Sequence, residues 1–309
     1  MTLSSASGQD NPALDPSLPA NGRLEQLTPL VRRRICTNAG PFTASGTCSY
    51  IVGQGRVAVI DPGPEDPMHV DALLEVLAGE TVDAIVVTHT HRDHSPGARL
   101  LQARTGAPIV GCGPHRAARG LAEGELPALD ASADRQHQPD RALREGEAVS
   151  GPGWTLIALE TPGHTMNHLA FAFPEENALF SGDHVMAWST TVVAPPDGSM
   201  RAYMASLERL RDRTETVFWP GHGGPVRDPR RFVRGLAAHR RQREAAIRAR
   251  LAAGDREIGA IVAAVYQGLR PALRGAAALS VFAHLEDMVE RGLVQADGPP
   301  TLHARFAPA

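Results

Sequence analysis

The chain has 309 residues, 42% hydrophobic and 21% charged, with a formal net charge of −3. These values are ordinary for a globular protein and allow one large core beside a smaller one, and no run of eighteen apolar residues offers a membrane span. All 31 basic residues are arginine, which leaves no lysine for a Schiff base or a P-loop.

The opening MTLSSASGQDNPALDPSLPANG has neither a basic end nor an apolar stretch, so residues 1–25 read as a mobile leader and not a secretory signal. Cys36, Cys48 and Cys112 are odd in number and lack metal-type spacing; they read as reduced, mostly buried thiols of a cytoplasmic protein. Residues 47–53 and 56–60 alternate as two strands about a glycine turn. After DPGPEDP a helix is expected over 67–79, with Val70, Leu73, Leu74 and Leu77 on one face. A strand at 83–87 follows, then a helix over 96–105 with Ser95 as its cap and Pro96 in its first position. A short strand is expected at 108–111, while residues 113–150 carry no assignable pattern.

Strands return at 154–160, 168–173 and 177–181, followed by a helix at 201–211 and a strand at 215–219. Hairpins mixed with single helices fit two sheets packed face to face with helices outside, and not a doubly wound parallel sheet. From residue 228 the character changes. Asp228 and Pro229 open a long Arg-rich helix, then helices at 255–267 and 276–291 precede two short strands around ADGPP, the order of a winged helix. Residues 229–309 hold 13 Arg against 7 acids, so a +6 tail follows a body of −9; this points to an anionic partner, although such a run is more often a solvated helix face.

The chemistry concentrates in THTHRDHSPG, where His89, His91, Asp93 and His94 crowd a loop at the end of the 83–87 strand. Three further strand ends offer similar side chains beside glycine: His164 in TPGHT, Asp183 in SGDH and His222 in WPGHGG. Imidazoles and carboxylates without a cysteine suit zinc, manganese or iron. His168 reads as a supporting or packed histidine, and His184 as facing either the site or the reverse side. His115, His137, His239, His284 and His303 have no partners at ligand spacing.

The set HxHxDH, then His, Asp and His in that order, resembles the metallo-β-lactamase superfamily over about residues 35–225. TNAGPFTASGTCSYIVG and VAVIDPG resemble its first hairpin, with Ala39 where relatives often carry Pro. The resemblance implies an α+β, four-layer αββα sandwich over 26–227, followed by a winged-helix-like domain over 228–309. It also implies two divalent cations: one on His89, His91 and His164, a second on Asp93, His94 and His222, with Asp183 between them. Asp93 would be both ligand and catalytic residue, and Asp61 would hold the ligand loops by hydrogen bonds. The apolar loop after Asp183 would wall the substrate cleft, with Met186 and Trp188 in contact.

The motif gives hydrolysis and not its substrate. The tail resembles the RNA-cleaving branch of the family, so single-stranded RNA is the leading expectation. A thioester, as in glyoxalase II, comes next, with the tail then a packing or homodimer element. An iron-dependent persulfide-oxidising enzyme and a non-catalytic DNA-binding protein are further readings. A β-lactam is the least expected substrate. His91 stands where flavodiiron proteins carry Glu, which argues against oxygen reduction.

Overall fold

The computed structural model describes residues 19–122, 125 and 132–309, so most of the expected leader lies outside the described residues. The first sheet runs in chain order: β1 (Leu24–Gln26), β2 (Val31–Ile35), β3 (Cys48–Gln54), β4 (Arg56–Ile60), β5 (Thr81–Val87), β6 (Ile109–Gly111) and β7 (Arg141–Ala142). Its first four strands are antiparallel neighbours, and β4 through β7 are parallel. Two helices, α1 (Pro67–Val76) and α2 (Gly97–Thr105), make the first two parallel crossovers, and their Val70, Leu73 and Leu101 join the buried core.

The second sheet contains β8 (Ala148–Gly151), β9 (Trp154–Glu160), β10 (Leu169–Phe173), β11 (Ala178–Gly182), β12 (Val217–Pro220) and β13 (Val226–Arg227), ordered from β13 to β8. Only β11 and β12 run parallel. The two-residue period of its strands divides two cores. Leu169, Phe171, Phe173 and Phe180 pack between the sheets with Trp154 and Ile51. Ala170, Ala172 and Leu179 face outward, onto α3 (Met200–Arg211) and α4 (Pro229–Ala252). The result is the αββα sandwich that the sequence predicts.

The expected cap of α2 is corrected. Pro96 occupies the N-cap position with no side-chain hydrogen bond, while the Ser95 hydroxyl donates to Asp134 at 2.8 Å. A buried carboxylate that also takes Arg99 at 2.8 Å outcompetes the helix amides for that hydroxyl. Asp228 does cap α4, accepting from the Arg231 amide.

The tail adds α5 (Ile258–Val265), α6 (Arg274–Glu290), and a hairpin of β14 (Val294–Ala296) and β15 (Phe306–Pro308). These elements share a core of their own with Ile247 and Leu251 from the second half of α4. The first half of α4, through Val233, Leu236 and Ala237, belongs to the core of the body. One helix thus serves both cores.

Candidate metal centre

Four strand ends meet at one edge of the sandwich. β5 ends at Val87 and delivers the loop holding His89, His91, Asp93 and His94; β9, β11 and β12 end just before His164, Asp183 and His222. Close approach requires glycine here. At Gly163, with φ of +143°, a Cβ would lie 2.3 Å from Cα of Tyr203. At Gly221 it would lie 2.4 Å from Oδ1 of Asp183.

Two groups of ligand-type atoms result. His89 Nε2 and His91 Nδ1 are 3.1 Å apart, and His164 Nε2 lies 2.9 Å from that same Nδ1. His94 Nε2 and His222 Nε2 are 3.1 Å apart, with Asp93 Oδ2 3.4 and 3.1 Å from them. Asp183 sits between the groups, its Oδ2 3.6 Å from His164 and 3.3 Å from His222. Its Oδ1 is buried, 3.5 Å from His94 Nε2, with no hydrogen-bond partner among the described residues.

The outward nitrogens settle which way each imidazole is protonated. His164 Nδ1 lies 2.6 Å from the Val192 carbonyl and His222 Nδ1 3.3 Å from the Gly46 carbonyl. A carbonyl only accepts, so both Nδ1 atoms carry hydrogen. His94 Nδ1 donates to Asp61 at 2.9 Å, and His91 Nε2 to Asp197 at 3.2 Å. The Thr88 hydroxyl gives its proton to Asp61 and therefore accepts from His89 Nδ1, at 2.9 Å. All five imidazoles thus carry hydrogen on the outward nitrogen and turn the other nitrogen inward, onto one another and onto two carboxylates. Such an arrangement fits cations seated between them.

The electrostatics agree. Burial pushes Asp93 and Asp183 up, yet the imidazoles of His94 and His222 hold both well below the usual carboxylate range. Burial lowers His222, but Asp183 and Asp93 overcome it and raise the ring to about 10; His94 is raised by the same carboxylates against the same burial. A bound cation would take the place of those protons. In the other group, burial and then neighbouring imidazoles push His89 well down and His164 to about 4, so these rings stay neutral.

The structure brings the seven ligand-type residues of the sequence reading to one place and separates the others by role. Asp61 also lies within reach of His89 and His94, but its oxygens already accept from the Thr88 amide and hydroxyl and from His94. His168 Nε2 accepts from the Asp183 amide at 3.2 Å, with Thr161 at its other nitrogen. His184 rests on the Tyr203 ring, centroids 4.5 Å apart. Met186 is 5% exposed. Trp188 packs against Gly223, beside His222.

Sequence reasoning missed Asp197, which orients His91 and lies 3.4 Å from His115. It also missed Thr191, whose hydroxyl donates to the Asp183 carbonyl at 2.6 Å. Only the position of both on the loop leaving Asp183 could have pointed to them.

The family model of the metallo-beta-lactamase superfamily matches residues 43–222, which hold all seven of these residues. The chain belongs to the metallo-beta-lactamase superfamily. It is, with that superfamily, a metal-dependent hydrolase. The beta-lactamase-associated winged helix domain matches residues 258–299. Beta-lactamase-like protein 2 homolog of Caenorhabditis elegans is 32% identical over 74% of this chain and 73% of its own. Atrochrysone carboxyl ACP thioesterase of Aspergillus terreus is 30% identical over 78% of this chain and 69% of its own. Among solved superfamily structures, a metallo-beta-lactamase family protein from Thermus thermophilus superposes with a TM-score of 0.74 at 26% identity, covering 92% of this chain and all of that one. The likeness therefore extends beyond residues 43–222 into the tail.

Proposed function

We propose that the chain hydrolyses a thioester, using two divalent cations held by His89, His91 and His164 and by Asp93, His94 and His222, with Asp183 shared. The observation that carries the metal assignment is the set of five inward imidazole nitrogens facing Asp93 and Asp183, each ring held by a hydrogen bond from its outward nitrogen. Zinc, manganese and iron all suit these donors. When bound, the cations supply Lewis acidity toward a water molecule and a carbonyl oxygen. The protein does the rest. Asp93, with its side chain 28% exposed, is the most open of the carboxylates here and accepts a hydrogen bond from the attacking water, aiming it at the carbonyl. Asp61, Asp197 and the Val192 carbonyl hold the imidazoles still. The water oxygen bonds to the acyl carbon, the carbon–sulfur bond breaks, and the thiol leaves with a proton. Trp188 and Met186, on the loop leaving Asp183, line the cleft for the acyl group.

The thioester reading is supported by the Aspergillus terreus relative, named for a carrier-protein thioesterase. It displaces RNA as the leading substrate. RNA stays as a second reading on one observation: Arg227, Arg230, Arg231, Arg234 and Arg248 are exposed and form no ion pair with a carboxylate among the described residues. On either reading, residues 26–227 are the catalytic body and 228–309 the appended domain, in a cytoplasmic enzyme. The test is metal analysis of purified protein, then hydrolysis of an acyl thioester of N-acetylcysteamine beside cleavage of a single-stranded RNA at low and high salt. Metal-dependent thiol release that is insensitive to salt supports the proposal. RNA cleavage that fades with salt, beside an intact thioester, overturns it.

A further inference from the structure

Arg240 lies midway along α4 and is 3% exposed. Its Nη2 donates to the Thr191 carbonyl and its Nη1 to the Ser280 hydroxyl at 3.2 Å, while the guanidinium sits 5.2 Å from the centre of the Tyr203 ring. Among the described residues no carboxylate pairs with it and its Nε has no hydrogen-bond partner. Its ionisable neighbours offer no counter-charge. Burial, followed by the charge of Arg240, pushes His284 down to about 3 and His239 to about 4. A buried cation without a counter-ion is costly, and an apolar side chain of similar volume would fill the space at less cost. Packing alone does not explain it.

The residue it grips does. Thr191 accepts from Arg240 at its carbonyl and donates its hydroxyl to the Asp183 carbonyl at 2.6 Å. The next carbonyl, that of Val192, takes the proton of His164 Nδ1 at 2.6 Å. Tyr203, under the guanidinium, donates to the His184 carbonyl at 3.1 Å. Two consecutive residues of one loop therefore connect the guanidinium to the residue between the two cation positions and to one imidazole of the first. α4 enters the tail core only beyond this point, through Ile247 and Leu251.

We infer that Arg240 is a positioning residue, through which the appended domain sets the metal centre by fixing the carbonyls of Thr191 and Val192. The inference rests on the proposed cation ligands, not on the substrate. Cutting the tail away after Gly224 removes this grip, so a truncated body should not keep its cations with native affinity. The tail is then part of the site's frame, whatever else it binds.

Three variants test this. R240M keeps the volume and loses the donors; R240K keeps one donor; R201A breaks exposed ion pairs from α3 to Asp287 and Glu290 of α6, neither of which lies on the loop. Metal-free proteins are titrated with zinc, amide exchange of residues 183–193 is followed, and thiol release and melting temperature are measured. R240M should lose about 10- to 100-fold in zinc affinity, the range found when a group orienting a ligand is removed. Its loop amides should exchange faster by a similar factor, with kcat lowered more than KM; R240K should recover part, and R201A should match the parent. Native zinc affinity and loop exchange in R240M, whatever its melting temperature, would overturn the inference. Should R240M fail to fold, T191V, which removes the hydroxyl donated to Asp183, carries the same reading from the loop side. Native affinity there counts equally against it. A parent protein that binds zinc but leaves the thioester intact sinks the substrate reading and leaves the zinc comparison standing.

Discussion

Gly221 separates the end of β12 from His222, and its substitution by alanine would disturb the centre without removing any of its side chains. A Cβ built there lies 2.4 Å from Asp183 Oδ1 and 2.7 Å from His94 Cε1, where ordinary contact begins near 3.4 Å. The backbone at Gly221 is not in the left-handed region, so an alanine is acceptable there in every respect but space. Asp183 must therefore retreat by about 1 Å, and its backbone is held by the Thr191 hydroxyl and by His168. Overpacking of this kind costs about 1–3 kcal/mol, a modest fall in melting temperature. A shift of about 1 Å in a catalytic group costs far more in rate, about 100-fold in kcat/KM. Gly224→Ala, three residues on with nothing within 4 Å of its Cβ, is the control and should be silent. Bound metal after dialysis and kcat/KM for thiol release read the outcome. Two cations and native kcat/KM in Gly221→Ala would refute the geometry given for Asp183.

Other outcomes follow from the same contacts. Asp61→Ala strands the Thr88 amide and hydroxyl and frees the His94 ring, so zinc affinity should fall about 10- to 100-fold, read by titration against a chromophoric chelator. Trp188→Ala opens the wall beside Gly223 and should raise KM several-fold with little change in melting temperature; the reverse pattern would make Trp188 a packing residue only. His284, 2% exposed, is pushed to about 3 by burial and then by Arg240. A histidine depressed in the fold stabilises above its unfolded pKa near 6.5 and loses that contribution as pH falls toward 3. His284→Phe should therefore soften acid denaturation by about 2–3 kcal/mol between pH 6.5 and 4.5, and urea melts with equal pH slopes in both proteins would count against it.

What the sequence shows depends on how each residue acts. His89, Asp183 and their companions were legible because side chains of ligand type stand at strand ends next to glycine. Thr191 and Val192 act largely through their carbonyls, and any residue type has a carbonyl. Arg240 reaches its partner from 49 positions away and looks like one more arginine in an Arg-rich helix. Strand β2, VRRRI, hid because its three arginines suggest a solvated stretch, yet Arg33 is buried against Glu25 of β1 and the Gly223 carbonyl. The edge strands β7, β8 and β13 are two to four residues long, too short for a period to show.

Neither group of ligand-type atoms is completed by one sheet. His89 and His91 follow a strand of the first sheet and wait for His164 from the second; Asp93 and His94 wait likewise for His222. A chain whose two halves have formed but not docked thus offers at most two donors per cation from either half, and weak chelation at best. Tight metal uptake then becomes a clock for folding: it starts when the halves close on each other, and a refolding experiment that follows metal capture would time that closure.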